Sequence, residues 1–461
     1  MPVAVAAREA AVGERDGEDF RQMAHRLLDE LIDGLDASKP EAGGSLLAAM
    51  SHELQKKRLD LVSACLQAKI EERFADLLHQ EQAPCPKCSR VRSRMRFDSK
   101  VRSTLQGQFT LERPYFYCRP CGVGFHPIDG VLGLSEDEHQ YDVAEEVIRL
   151  GADLPFERST EHFKRLTGVS VSAHLAHDKL GEVGEHATLA QVIPSAEEIE
   201  RRIDEVARGR RARPVLVVAV DGAASPVRPP GGRGEKRGAG FFREIKGVRV
   251  YLLGNDRRFV DVASWHQIGD VESFARDLRE IRERLPLKKV RVALVADGAQ
   301  WIWDLLEEVF PKATSVLDYY HCAEHVFDAA HAQFGESVEA LQWAEFSLAL
   351  LALGCAHSVA LLWQQLDPLN SNAAKTIRNF TAYLDNQRSR IHFRSNRRRG
   401  IPNGSGAIES ANKFLCHARL KVSGAWWLEE KSNAMLRIRC AIHNGTFDSL
   451  FRRFIQSRAR Q

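Results

Sequence analysis

The sequence predicts an α/β core built on a mixed sheet with helices on its faces and a helical insertion. An N-terminal part, helical and carrying a cysteine module, precedes it. Three observations carry this reading. Arg213–Gly222 reads RPVLVVAVDG, a continuous apolar run closed by Asp221 and Gly222. Val290–Gly298 reads VRVALVADG and repeats the signature with Asp297. Cys85, Cys88, Cys118 and Cys121 stand as CPKC and CRPC, widely separated in the chain. A short, unbroken, β-branched run suits a strand buried on both faces. An Asp-Gly at its exit is either simple turn chemistry or a carboxylate held at a sheet edge. Two matching runs favour two carboxylates side by side, a candidate metal site.

The 461 residues suggest about three domains. At 44% hydrophobic and 28% charged, composition is ordinary for a globular protein. The net charge of +3 decides nothing as an average. Its distribution says more: Gln387–Gly400 and the last ten residues are rich in arginine, which suits a polyanion partner or a solvated surface. Nine cysteines without a secretory pattern at the N-terminus favour a reducing compartment and thiols used as thiols. The expected setting is a reducing cytosol. Phe346–Trp363 is apolar over 18 residues but holds His357 and Gly354. It reads as a helix buried in a large domain, and no membrane partner is expected.

Taken in order, residues 1–80 read as helical, with apolar spacing of three to four over Phe20–Asp33, Leu47–Leu54 and Leu59–Leu77. Asp36–Glu41 is a linker, and a packing or dimer-forming role is expected. Residues 81–130 form a four-cysteine module resembling a zinc ribbon, its two knuckles joined by a two- or three-stranded ribbon over Met95–Tyr117. Arginines and aromatics around it, Arg113 and Arg119 among them, suit nucleic-acid contact or a small ribbon core. Residues 131–212 are helical. Val143–Gly151, Ser159–Leu166, a break at Thr167–Gly168 and a helix over Ser170–Leu180 resemble a helix-turn-helix. Ser170 is the expected N-cap, and His174 and His177 lie on the second helix. Glu197–Arg213 is a charged helix leading into the sheet.

Residues 213–327 supply strands at Val215–Val220, Gly247–Leu253, Phe259–Trp265, Val290–Ala296 and Ser315–Leu317. Helices are expected at Asp270–Arg284 and Gln300–Val309. The loop Pro226–Gly240 is basic and Gly/Pro-rich, with Arg233, Lys236 and Arg237 able to meet phosphates. It lacks the phosphate-binding GxxxxGK[ST] pattern, which disfavours a P-loop ATPase. Asp318 ends the last strand, and Cys322 and His325 follow three apart on one helix face. By themselves they suit packing as well as a site. Residues 328–400 are a helical insertion, with one helix at Ala373–Leu384. Residues 401–461 complete the core: a turn at Pro402–Gly406, a helix carrying Glu409, Asn412 and Lys413 on one face, then His417, Arg419 and Lys421, a helix Lys431–Ala441, and a basic tail.

Two aspartates and a late glutamate are a set of hard oxygen ligands. They suit Mg²⁺ or Mn²⁺ rather than zinc, in a two-ion phosphoryl transfer. From Cys85 to the C-terminus the chain resembles DDE-type transposases of bacterial insertion sequences, the ISKra-like group distantly related to Mutator-like transposases. The resemblance rests on VVAVDG, VADGAQW, DYYHCAEH and GSGAIESANK. It implies an RNase H-like core with a helical insertion, catalytic and metal-binding Asp221, Asp297 and Glu409, and support from Asp318, Cys322 and His325. It implies binding to double-stranded DNA at terminal inverted repeats, joining to target DNA, a homodimer or higher oligomer, and a setting in the bacterial cytoplasm at the nucleoid. The other readings are an RNase H-like nuclease or resolvase without strand transfer, and a non-catalytic zinc-containing DNA-binding protein.

Overall fold

The computed structural model describes residues 20–39, 44–209, 211–230, 238–254 and 259–458. The chain divides into two units, Met1–Lys179 with Ile455–Gln461, and Leu180–Phe454.

In the first unit a helix spans Phe20–Asp36. Leu47–Leu54 and most of Leu59–Leu77 belong to one helix, Leu46–Arg73, and after a break at Phe74 the end of the second pattern falls on a short helix, Ala75–His79. Nothing between Leu54 and Leu59 breaks a helix, because Gln, Lys and Arg are good helix formers. Ser45 caps its start, its Oγ accepting the Ala48 N–H at 3.4 Å. The linker's Ala37–Lys39 follow the first helix, and its residues 40–41 lie outside the described residues. Strands β1 (Gln82–Pro84) and β2 (Val91–Ser93) pair antiparallel. Strands β3 (Arg96–Thr104) and β4 (Gly107–Cys118) form a long hairpin, and β5 (Val123–Phe125) pairs with the end of β4. Gly107 sits at φ +108° at the hairpin turn, a conformation that favours glycine.

Helices Tyr141–Asp153 and Phe156–Thr167 come next, the second stopped by Gly168 at φ +81°. The following helix is Ala173–His186, and its cap is Ser172 rather than Ser170. The Ser172 Oγ accepts the Leu175 N–H at 3.1 Å. The stretch before it is non-helical, with Val169 buried, so the helix opens later than the sequence suggested.

In the second unit the charged helix is Ala196–Ala207, capped by Ser195. It ends early because Gly209 turns the chain at φ +74°. The five-stranded sheet uses β6 (Val215–Val227), β7 (Phe241–Leu253), β8 (Phe259–Ile268), β9 (Arg291–Ala296) and β10 (Thr314–Leu317). Their spatial order is β10-β9-β6-β7-β8. β6, β9 and β10 are parallel neighbours, and β7 runs antiparallel to both β6 and β8. Val215–Val220 is buried throughout, as expected of a central strand covered on both faces. Helices Val271–Glu283 and Gln300–Val309 bury Phe274, Leu278, Ile302 and Leu306. The mixed sheet and its helical insertion are consistent with an RNase H-like fold.

Two asparagines guard the edge strand β8. On helix Glu429–Asn444, the Asn444 amide accepts from Ser264 N–H at 2.8 Å and donates to Ser264 C=O at 2.9 Å. Asn433 does the same with Ile268, at 2.8 and 3.0 Å. An unpaired sheet edge is a template for aggregation, and these two amides cover part of it.

The insertion after β10 holds helices Tyr319–Phe334, Val338–Leu353, Ala356–Gln364, Ser371–Asn386 and Phe393–Arg398. The apolar run Phe346–Trp363 is therefore two helices, parted by Gly354 at φ +91°. Among the described residues no helix is long and apolar enough to cross a membrane. Trp363 is fully buried, and the Trp343 and Phe380 rings each sit 5.5 Å from its own.

Candidate functional site

The two Asp-Gly signatures meet through strand register. β6 and β9 run parallel with Ala219 opposite Val295. Two residues further on, Asp221 and Asp297 come level. Asp221 does not end its strand, however. β6 continues through Gly222 to Val227, with Asp221 opposite Gly247 and Gly222 opposite Lys246 on β7. The antiparallel partner goes on past the point where β9 stops, so Gly222 serves as a strand residue and not a turn. Asp297 does leave its strand as expected. Its Oδ1 accepts the Ala299 N–H at 3.0 Å, and its C=O accepts the Trp303 indole N–H at 2.8 Å.

Asp221 and Asp297 both line one open cleft of about 460 Å³, with Phe242, Arg243, Glu244 and Trp301 on its walls. The Asp221 carboxyl is pushed up to about 6, first by burial, and also by the charges of Asp297 and Glu409. Its Oδ1 accepts the Gly222 N–H and its Oδ2 the Asn412 amide, each at 2.8 Å. These two donors favour the charged form and partly offset the desolvation. Glu409 is exposed on helix Gly406–Ala411. The Ser405 hydroxyl lies 2.9 Å from Glu409 Oε1 and also contacts Asp318. Asp318 is buried and caps helix Tyr319–Phe334, accepting the Tyr320 N–H at 2.7 Å.

Cys322 is fully buried, and burial pushes its thiol up to about 12. The His325 ring stands 4.3 Å from the Tyr383 ring, and burial lowers its pKa. Tyr383 is a residue that sequence reasoning missed. Its hydroxyl is buried with no hydrogen-bond partner among the described residues. Its pKa is raised by burial and by the nearby Cys322, Asp297 and Asp318. A Cβ on Gly298 would sit 2.4 Å from the Tyr383 ring, so only glycine fits beside Asp297.

After Glu409 the helix loosens into a π-helical turn, Asn412–His417, before Ala418–Leu420. This separates residues expected to share a face. Asn412 points inward and is buried, whereas Lys413 is exposed. Lys421 is exposed too, but Arg419 is buried with its guanidinium 5.4 Å from the centre of the Trp427 ring. Among the other residues expected to meet DNA, Arg113 is buried and paired with Asp129. Neither Arg113 nor Arg419 presents its charge to solvent. Arg119, Ser170 and His174 are exposed, His174 beside Asp178 at 3.3 Å. Arg233, Lys236 and Arg237 lie outside the described residues.

The first unit holds Cys85, Cys88, Cys118 and Cys121 with their sulfurs all within 4.8 Å of one another. Tetrahedral zinc with Zn–S near 2.3 Å requires S···S of roughly 3.8 Å. The Cys88–Cys118 separation is 3.7 Å. Each CxxC is followed by a left-handed residue, Ser89 at φ +57° and Gly122 at φ +63°, so the two knuckles share one backbone form. The Arg92 Nε–H donates to Cys118 Sγ at 3.2 Å. A guanidinium beside the sulfurs offsets thiolate charge. The cluster fits a structural zinc site.

Residues 50–452 match the uncharacterised protein family UPF0236, and the chain belongs to that family. No curated protein matches it. Among solved structures it is similar to the Drosophila P element transposase strand transfer complex, at 11% identity and a TM-score of 0.27, over 70% of this chain and 82% of that one. A likeness of that size carries no argument about function.

Two outcomes follow from this geometry. The purified chain should carry one equivalent of zinc by elemental analysis, and Cys88→Ser should lose it and melt at lower temperature. A zinc-free wild type of unchanged stability would contradict this. Asp221→Asn should stabilise the metal-free fold at pH 8. The wild-type carboxyl is raised to about 6 in the fold, so its ionisation weakens folding as pH rises from the unfolded value toward 6. Allowing for solvent screening, the gain is about 1–2 kcal/mol at pH 8. It should shrink as pH falls through 6 and vanish below about pH 3, where both states are protonated. Denaturant melts at the two pH values read it directly.

Proposed function

We propose that the chain is a metal-dependent enzyme of DDE type that cleaves phosphodiester bonds in DNA and joins the freed 3′-hydroxyl ends to a target. The observation that carries this reading is the cleft lined by Asp221 and Asp297, where the charge of Glu409 also acts on Asp221. Two carboxylates on one open cleft, with the charge of a third acting on Asp221, are hard oxygen donors that suit Mg²⁺ or Mn²⁺, with Asp221, Asp297 and Glu409 as the residues that would hold it. When bound, such ions activate a water or 3′-hydroxyl and neutralise charge on the departing oxygen.

The remaining work belongs to the chain's own groups. The Gly222 N–H and the Asn412 amide fix both oxygens of Asp221. The Ala299 N–H fixes Asp297, and Ser405 fixes Glu409. Phe242, Trp301 and Ile302 give the cleft apolar walls. Exposed Lys413 and Lys421 are free to meet a phosphate backbone, and such contacts position a duplex without reading its sequence. In this reading the four-cysteine module and the helices after it bind the ends of the DNA element, its terminal inverted repeats. Two copies of the chain are required to bring two ends together.

The test is an assay on a duplex carrying the element's terminal repeat, with Mg²⁺, comparing wild type with Asp297→Ala. The expected result is cleavage followed by joining, abolished in the variant while repeat binding persists. Cleavage without joining would leave a nuclease. Specific binding with no cleavage under Mg²⁺ or Mn²⁺ would leave a DNA-binding protein.

A further inference from the structure

Asp221, Gly247 and His266 stand level on three adjacent strands. Asp221 is opposite Gly247 on β7, and Gly247 is opposite His266 on β8. Neighbouring strands lie about 4.8 Å apart, so His266 and Asp221 are too far apart to touch. Asn412 closes the gap. Its Nδ2 is 2.8 Å from Asp221 Oδ2, and its Oδ1 is 3.0 Å from His266 Nε2. The amide reaches across because Gly247 has no side chain. A Cβ there would stand 2.5 Å from the His266 ring and 3.2 Å from Asn412 Oδ1.

Donor and acceptor logic then sets every proton. An ionised carboxylate only accepts, so Asn412 must turn its NH₂ toward Asp221. Its carbonyl oxygen therefore faces His266, which must donate from Nε2. The other ring nitrogen is left to accept, and Cys440 Sγ lies 3.9 Å from it. The Cys440 thiol keeps its proton, since burial pushes it up to about 12. His266 is fully buried, which lowers its pKa to about 3 and keeps the ring neutral. The ordered chain runs Cys440 S–H to His266, His266 Nε2–H to Asn412, and Asn412 N–H to Asp221.

We propose that His266 and Asn412 are positioning residues that act as one unit across Gly247, fixing the Asp221 carboxylate for a divalent cation. This role rests on the reading of Asp221 as a metal ligand. The acceptor-only carboxylate sets the orientation of the amide, and the His266 Nε2–H holds the amide in place by donating to its oxygen on the side away from Asp221. Outer partners of this kind govern metal affinity without touching the ion.

The test has two arms. The first needs no metal and no variant: ¹⁵N resonances of histidine-labelled full-length protein should show His266 as the neutral Nε2–H tautomer. The second is calorimetric titration with Mn²⁺, each variant checked by thermal melt. Asn412→Ala and His266→Ala should each weaken Mn²⁺ binding by about 10–100-fold. The double variant should be no weaker than Asn412→Ala alone, as expected of residues in one chain of hydrogen bonds. His266→Gln, whose amide can still donate to Asn412, should recover most of the affinity, and it also serves where the alanine variant fails to fold. An Nδ1–H or charged His266 would overturn the proposal, and so would additive losses or wild-type affinity in a folded His266→Ala. If Asp221→Ala leaves Mn²⁺ affinity unchanged while His266 is the Nε2–H tautomer, the metal-site reading itself has failed and takes the assigned role with it.

Discussion

The second unit depends on an unequal sharing of β6. On one side β6 pairs in parallel with β9 only from Val215 to Ala219. On the other it pairs with β7 from Leu216 to Val227. The short side opens just where Asp221 stands, because β9 ends at Ala296 and the chain turns away through Asp297 and Gly298. The long side keeps Asp221 within a rigid strand. One carboxylate is thus held inside the sheet and the other at its exit, level with each other. A cleft at the end of a parallel neighbour is where an α/β sheet offers space for a ligand.

Filling that opening with charge costs stability. Asp221 is half-buried and shares its field with two other carboxylates, and burial together with their charge raises its pKa. The fold supplies compensating donors from distant parts of the chain. Asn412 comes from the late helix, supported by His266 on β8 and Cys440 on helix Glu429–Asn444. That last helix is itself fastened to β8 by Asn433 and Asn444. Edge protection and support of the acidic cluster therefore fall to the same element. The π-helical turn at Asn412–His417 belongs to this arrangement, since a wider turn changes which side chains face the sheet.

Much of the sheet was legible because buried strands leave a local mark. The apolar run Val215–Val220 marked the central strand, and Gln300–Val309 was delimited by its own periodicity. The paired CxxC spacing located the four-cysteine cluster. Asp221 was expected at the exit of its strand, but β6 runs on to Val227: strand length depends on the partner, and the reach of β7 is not written in β6. The same limit explains Ser170, a good cap residue by type that the helix start leaves behind. Arg113 and Arg419 looked like surface charges because burial of an arginine depends on contacts such as Asp129 and Trp427. His266, Tyr383 and the Ser405 contacts were invisible, since each meets its partner far away in sequence. Gly247 and Gly298 were the available signals, glycines in or just after a strand where a close approach excludes a side chain.

The measurement that bears most directly on this account is anomalous diffraction from crystals of the full chain soaked in Mn²⁺. The account predicts an anomalous peak about 2.1 Å from carboxylate oxygens of both Asp221 and Asp297, with the Glu409 helix closing on the same cleft. Ordered manganese found only elsewhere, with the Asp221–Asp297 cleft holding none at saturating Mn²⁺, would contradict it.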